Sequence, residues 1–371
     1  MVHDTFHDWL AEADKVVIAA GAGLSAAAGY DYGDAARFRE LLPALYRLGL
    51  RSRYLLGAAL PPDMMWGYWA VHITDIRHGT EPNPLYRRLR ALVGERDHWV
   101  VTSNVDGLFA RNGFDAGRVF TPQGDYGFLQ CTTPCTRRTW PSAPFLQRVL
   151  AAYDRESGRV RDPGALPVCP NCGGDLFPNV RVGPEFVDDA FMPTGGRMAK
   201  WLSQFQVAEP LVHSATAPLS QSATQPLVRA ATAPLTGPAT TPLDHSATAP
   251  PAGSATTPLT GSATQPPTRS ATAPLTGPAT TPLTHTATTP PAGSATTPPT
   301  PSPTTPLPLL VIEIGAGFNT PGVIRLPMEN LVRHTPGARL VRINPDHPAT
   351  PEDLAGRALS VPVRADEFLA T

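Results

Sequence analysis

Lys15-Val16-Val17-Ile18-Ala19-Ala20 runs directly into Gly21-Ala22-Gly23-Leu24-Ser25. The apolar run after the lysine reads as a short strand buried on both faces. The glycines that end it let backbone approach a ligand closely. A helix opening near Ser25 would aim its first amides at a phosphate. Glycine-rich turns of this kind are common without a nucleotide, so the companions decide. Trp99-Val100-Val101-Thr102 reads as a second strand, followed by Ser103-Asn104-Val105-Asp106. Leu309 to Ile314 is a third, ending in Gly315-Ala316-Gly317, and Leu340-Val341-Arg342-Ile343-Asn344 a fourth. Strands alternating with helical segments give an α/β class: a Rossmann-like, doubly wound parallel sheet. In such sheets ligands bind beyond the carboxyl ends of the strands, where every cluster just named falls.

From about Ser214 to Leu309 the sequence repeats in octads: SATAPLSQ, SATQPLVR, AATAPLTG and onward. A solenoid needs large apolar residues to stack, and these octads offer single leucines and no aromatics. Proline in every octad removes amide donors and blocks helix. The composition predicts a long disordered Pro/Thr/Ala-rich insertion over 207–308, flanked by a folded domain of 1–206 plus 309–371. About 270 residues remain outside it, enough for one well-buried domain with a smaller module. Because the repeat interrupts a helix-to-strand connection, it should leave from the face opposite the ligand crevice.

The formal net charge is -1, and no Lys/Arg cluster marks a nucleic-acid surface. Lys15 and Lys200 are the only lysines. The apolar run from Val16 to Gly29 is too short and too rich in Gly and Ala to span a bilayer. The start of the chain lacks a basic signal-peptide pattern, so the expectation is a cytoplasmic protein without a membrane partner. Oligomeric state is not legible.

All four cysteines fall in two short pairs, Cys131-x3-Cys135 and Cys169-x2-Cys172. This spacing, with Gly173-Gly174 after the second pair, reads as a zinc ribbon within about 125–185. Four thiolates leave no open coordination position, so the metal would be structural. Trp66-Gly67-Tyr68-Trp69 reads as the packed core of a small helical subdomain over about 37–84, beside the zinc module.

Gly21-Ala22-Gly23-Leu24-Ser25, Thr102-Ser103-Asn104-Val105-Asp106 and Gln123-Gly124-Asp125-Tyr126, in that order, resemble the sirtuins. The resemblance implies the sirtuin fold, NAD as cosubstrate and zinc as a structural metal. It places Gly21, Ala22, Gly23 and Ser25 at the NAD phosphates. It sets Asn104 and Asp106 at the nicotinamide ribose and nicotinamide, with Gly315 on the facing loop. Asn344 would meet the adenosine ribose, and Ala365 and Asp366 the adenine. Two departures stand out. Tyr30-Asp31-Tyr32-Gly33 replaces the usual Gly-Ile-Pro continuation, and Gln123 replaces the histidine that serves sirtuin deacylases as base. An amide has no titratable proton in the working pH range.

Asn112-Gly113-Phe114-Asp115, the run from Thr121 to Gly127, Gln130-Cys131 and the run from Ile312 to Pro321 are similar to the macrodomain-linked, class M sirtuins. That closer resemblance implies a protein ADP-ribosyltransferase, with Asn104, Gln123 and Asp106 as its catalytic set. The implied partner is an acceptor protein, for which the family suggests a lipoylated carrier of the glycine-cleavage H type. Three alternatives stay open: an NAD-dependent deacylase, which lacks its base, an NAD hydrolase, and a non-catalytic NAD-binding module.

Overall fold

The apolar run after Lys15 is an inner strand of a parallel sheet in the computed structural model, which describes residues 2–55, 58–205, 308–319 and 321–370. Helix α1 (Val2–Glu12) leads into β1 (Lys15–Ala20), and α2 (Ala22–Ala27), α3 (Ala35–Leu41), α4 (Pro43–Arg47), α5 (Pro62–Arg77) and α6 (Pro84–Val93) follow. Then come β2 (Asp97–Thr102), α7 (Leu108–Arg111) and β3 (Val119–Phe120). A small antiparallel region holds β4 (Gly124–Cys131), β5 (Trp140–Pro141), α8 (Ala143–Ala151), β6 (Tyr153–Asp154), β7 (Arg159–Val160) and β8 (Leu176–Val180). The chain closes with α9 (Met192–Leu202), β9 (Leu309–Ile314), α10 (Arg325–His334), β10 (Arg339–Ile343), β11 (Ala358–Val361) and α11 (Ala365–Phe368). The expected insertion lies outside the described residues, apart from Pro308.

The main sheet has six parallel strands in the order β11-β10-β9-β1-β2-β3. Strand order reverses between β1 and β9, and this switch point opens a crevice beyond their carboxyl ends. Both faces are covered. Val16, Ile18, Val100, Ile312 and Val341 pack into one core, while Val17, Ala19, Val101, Val311 and Leu340 pack into the other. That arrangement explains the near-continuous apolar runs. Pro308, at the entry to β9, accepts hydrogen bonds from Asp14 and Lys15 at the amino end of β1. The described chain therefore re-enters the sheet at the amino ends of β1 and β9, away from the crevice.

A third core joins the helices around α5 to the antiparallel module, with Trp66, Tyr68 and Trp69 packed beside Tyr126, Leu129 and Leu176. The expected role of the aromatic run as core holds. The helix expected near Ser25 begins earlier, at Ala22, because Gly21 supplies an extended cap and the turn is completed in one residue. Asn112, part of the closer family resemblance, is a brace. Its Oδ1 accepts from the Asn83 amide at 2.6 Å and its Nδ2 donates to the Leu108 carbonyl at 2.8 Å. Asn83 in turn caps α6, ahead of Pro84 at the first helical position.

Candidate active site

Two glycine loops meet backbone to backbone at the switch point. Gly21 donates to the Ile314 carbonyl at 2.9 Å and Gly23 to the Gly315 carbonyl at 3.0 Å. Gly315 has φ +62°, and a Cβ there would stand 2.5 Å from the Gly23 Cα. Only glycine satisfies both the backbone angle and the approach. The two loops form one side of a cleft of about 390 Å³, a volume within the usual range for small-molecule sites. Gly21, Ala22, Gly23, Gly315 and Asn344 all line it, whereas Ser25 does not.

Asn344 closes the far end. Its Nδ2 donates to the Ala316 carbonyl at 2.9 Å, and its Oδ1 accepts from the amides of Asp346 and His347. Behind it lies a buried charge cluster. Arg342 forms a bidentate pair with Glu313, both bonds 2.8 Å, and also meets Glu329 at 2.7 Å. Arg325 donates to the carbonyls of Ala316 and His347, so the cluster holds two segments of the cleft wall. Arg364 and Ala365 line the cleft here. Asp366 is not on that wall and pairs instead with Arg364 at 3.0 Å.

The reactive end is a network of side chains. Thr102 Oγ1 donates to the Ala20 carbonyl at 2.9 Å and accepts from the Asn104 amide at 3.0 Å, fixing the turn after β2. Asn104 Nδ2 then donates to the Gly21 carbonyl at 2.9 Å and to Ser25 Oγ at 3.0 Å. Its carbonyl Oδ1 is left as the atom a ligand can use. Ser25 Oγ donates to Asp106 Oδ2 at 2.5 Å, and the Leu108 amide reaches Asp106 Oδ1 at 2.9 Å. Burial pushes the Asp106 carboxyl up, opposed by those two donors.

Two further cavities flank this pair and share Asn104 and Asp106 as walls. One, of about 150 Å³, is lined by tyrosines and Asp31. The other, of about 280 Å³, is lined by Arg77, Asp125, Thr121, Phe128 and Phe191. Asp125 is tied to Arg77 by bonds of 2.6 and 3.2 Å. The Arg77 guanidinium lies over Gly107, where a Cβ would stand 2.5 Å from its Nε.

Gln123 is buried, with 6% of its surface exposed, and lines none of the three cavities just described. Its backbone carbonyl accepts from Arg181, while its Nε2 has no hydrogen-bond partner among the described residues. Sequence reading missed Tyr54, Asp31, Arg77 and His347 as wall residues. The first two line both the cleft and the small cavity. Asp31 sits where the chain departs from the sirtuin pattern, Tyr54 and His347 in loops without any pattern, and Arg77 at the end of α5.

The cysteine prediction can be tested by geometry. The four Sγ atoms lie within 4.8 Å of one another, with Cys131 to Cys172 at 3.7 Å and Cys135 to Cys169 at 3.6 Å. Tetrahedral zinc with sulfur ligands at about 2.3 Å requires edges of about 3.8 Å, so the set fits. Gly173, at φ +74°, turns the second pair, and its amide donates to the Cys169 carbonyl at 2.8 Å. Burial opposes ionisation of Cys169, yet the amides of Cys172 and Asn171 bring its thiol down to about 7.

Comparison with known proteins adds relatives to this geometry. A probable bifunctional ADP-ribose hydrolase/ADP-ribosyltransferase of Fusarium oxysporum f. sp. cubense is 34% identical over 203 residues, 53% of this chain and 34% of that protein. A protein ADP-ribosyltransferase of Staphylococcus aureus strain Mu50 is 30% identical over 175 residues, 46% of this chain and 54% of that protein. Over about half its length this chain is similar to two proteins that carry the name ADP-ribosyltransferase. An NAD-dependent protein deacylase of Ralstonia nicotianae is more distant, 25% identical over 174 residues, 46% of this chain and 60% of that protein. The chain spans about a third to three-fifths of the length of these curated relatives. No family model matches. Among solved structures, a Sir2 homologue complexed with 2'-O-acetyl ADP-ribose aligns over 99% of this chain and 95% of its own, with TM-score 0.47 and 16% identity.

Proposed function

We propose that the protein is an NAD-dependent protein ADP-ribosyltransferase of the sirtuin type. One observation carries the reading: among the described residues no histidine lines either cavity flanking Asn104 and Asp106, although side-chain hydrogen bonds join both to Ser25. A site with that network and no imidazole base suits departure of nicotinamide better than deacylation. The transferase names of two relatives support the same choice.

In this reading the loops at Gly21–Gly23 and Gly315 receive the diphosphate, and Asn344 faces the adenosine. Asn104 Oδ1 and the Asp106 carboxylate stand by the nicotinamide ribose, where positive charge develops as the glycosidic bond breaks. The orphaned Nε2 of Gln123 donates to the acceptor or to a ribose hydroxyl, and either bond would satisfy a buried group that otherwise lacks one. Ala365 and Asp366 contribute backbone near the adenine. The acceptor is a partner protein, for which we propose a lipoylated carrier. The four cysteines hold a structural zinc that braces the antiparallel module. We place the protein in the cytoplasm, where reduced thiols remain free for metal.

The test measures nicotinamide release with and without candidate acceptor protein. Release that depends on the acceptor, with ADP-ribose recovered on protein, supports transfer. Equal release without protein, yielding free ADP-ribose, indicates hydrolysis. NAD binding without any release would leave a non-catalytic module.

A further inference from the structure

Asn104 and Asp106 lie on the turn after β2, and Gln123 lies on the turn into β4. A backbone bond ties the two turns, from the Tyr126 amide to the Val105 carbonyl at 2.8 Å. Arg77, the last residue of α5, adds a side-chain tie. Its Nε and Nη2 grip both oxygens of Asp125, two residues beyond Gln123. Asp125 Oδ1 also accepts from the Gly127 amide at 2.6 Å, which fixes the carboxylate from a second side.

Glycines make room for this guanidinium. Gly107 follows Asp106 directly, and a Cβ there would stand 2.6 Å from the Arg77 Cζ. Its φ of +67° favours glycine in any case. Gly127 has no positive φ to demand glycine, yet a Cβ there would stand 2.8 Å from Nη2 and 2.9 Å from Asp125 Oδ1. The Arg77–Asp125 pair is what occupies that space. The helix end is pinned in turn. His78 Nε2 and Ser142 Oγ are 2.9 Å apart, and the Ser142 amide donates to the Gly127 carbonyl at 2.8 Å. Burial opposes the charge on Arg77, but Asp125, with Asp106 nearby, raises its pKa. A forked Arg–carboxylate contact of this kind holds direction as well as charge. Gln123 is held through its backbone, whose carbonyl accepts from the Arg181 amide at 2.9 Å, while its Nε2 has no partner among the described residues. Where its side chain reaches therefore depends on where the turn is set.

We propose that Arg77 is a positioning residue: through Asp125 it sets the Gln123 turn against the turn that bears Asn104 and Asp106. The inference rests on the function proposed above and deepens it. Arg77 does not line the dinucleotide cleft, so its effect falls on turnover and leaves NAD affinity alone. Because it acts through Gln123, its removal costs no more than removal of the Gln123 amide.

The experiment uses NAD labelled in its ADP-ribose moiety and a lysate from the protein's own source, and follows the initial rate of protein labelling at varied NAD. The full chain is compared with Arg77→Met, Arg77→Lys, Gly127→Ala and Gln123→Ala, and with Gln123→Ala combined with each of the first three. Melting temperature and ADP-ribose binding report folding. The expected result for Arg77→Met and Gly127→Ala is a fall in maximal rate of about three- to tenfold, with the KM for NAD within about twofold of the parent. Arg77→Lys keeps the charge and loses the fork, and lies between. In the Gln123→Ala background the same changes cost less than about twofold, since the residue they act through is gone. Gly127→Ala leaves every charge in place, so it carries the test if Arg77→Met fails to fold. Losses that multiply across the two positions overturn the inference. So does a raised KM for NAD with weakened ADP-ribose binding, which a merely structural role would give. A parent that labels no protein overturns the function proposed above, and the inference with it.

Discussion

Around Asn344 the polar groups satisfy one another, whereas Gln123, beside β4, is left open. Asn344, Arg325, Arg342, Glu313 and Glu329 form a closed set that holds Ala316 and His347 in place. Across the molecule, Gln123 Nε2 is buried without a partner among the described residues. A closed set makes a preformed binding surface, and open groups mark where a ligand or acceptor completes the structure. On the function proposed above, the difference separates a part that holds the dinucleotide from a part that changes it.

The strongest way to break this comparison is to open the closed set. Arg342→Leu leaves Glu313, which has no exposed surface, without its bidentate partner. The expected cost is about 3–5 kcal/mol of stability, read as a fall in melting temperature with loss of ADP-ribose affinity. A double variant, Arg342→Met with Glu313→Leu, should recover stability but not affinity, because the carbonyl of Ala349 keeps only the longer of its two donors, Arg325, in either case.

The parallel sheet was legible because strands buried on both faces leave uninterrupted apolar runs, as Val16–Ala20 and Leu309–Ile314 do. The glycine loops, Asn104, Asp106 and the cysteines were legible because their roles demand particular residue types at short spacing. The tyrosine wall was not. Tyr30 and Tyr32 come from the turn after α2, Tyr54 from a distant loop and Tyr126 from β4, and no spacing in the chain joins them. Gln123 was legible as a missing base, but its orphaned amide required the surrounding burial to be seen. Asp366 shows what a sequence position leaves open: its carboxylate pairs with Arg364, which leaves only its backbone for the expected contact.

Removing the metal tests the module that carries Gln123 on its first strand turn. Cys172→Ser is expected to lose bound zinc and to melt at lower temperature than the parent. Unchanged melting, with zinc in neither form, would refute a structural metal.

At the reactive end, Gln123→Ala should reduce transfer by about tenfold or less, since one neutral hydrogen bond is worth about 1 kcal/mol. A drop of several thousandfold would mean that Gln123 does more than position. Gln123→His sharpens the point. Gained deacylation means that only the base had been replaced, and an inert variant means that the acceptor groove has diverged as well.

The smallest effect is expected from removing 214–306. The described chain re-enters at Pro308, away from the crevice, and loop closure depends only logarithmically on length. NAD affinity should stay within about twofold, measured by calorimetry on the shortened chain. Collapse of binding would show that the repeat supports the site.

The most direct measurement incubates the protein with NAD labelled in its ADP-ribose moiety and a lysate from its own source, then resolves labelled proteins. The account predicts a discrete labelled band that vanishes in Asn104→Ala, while that variant keeps its melting temperature. Rapid nicotinamide release with no labelled protein, or a band indifferent to Asn104, would contradict it.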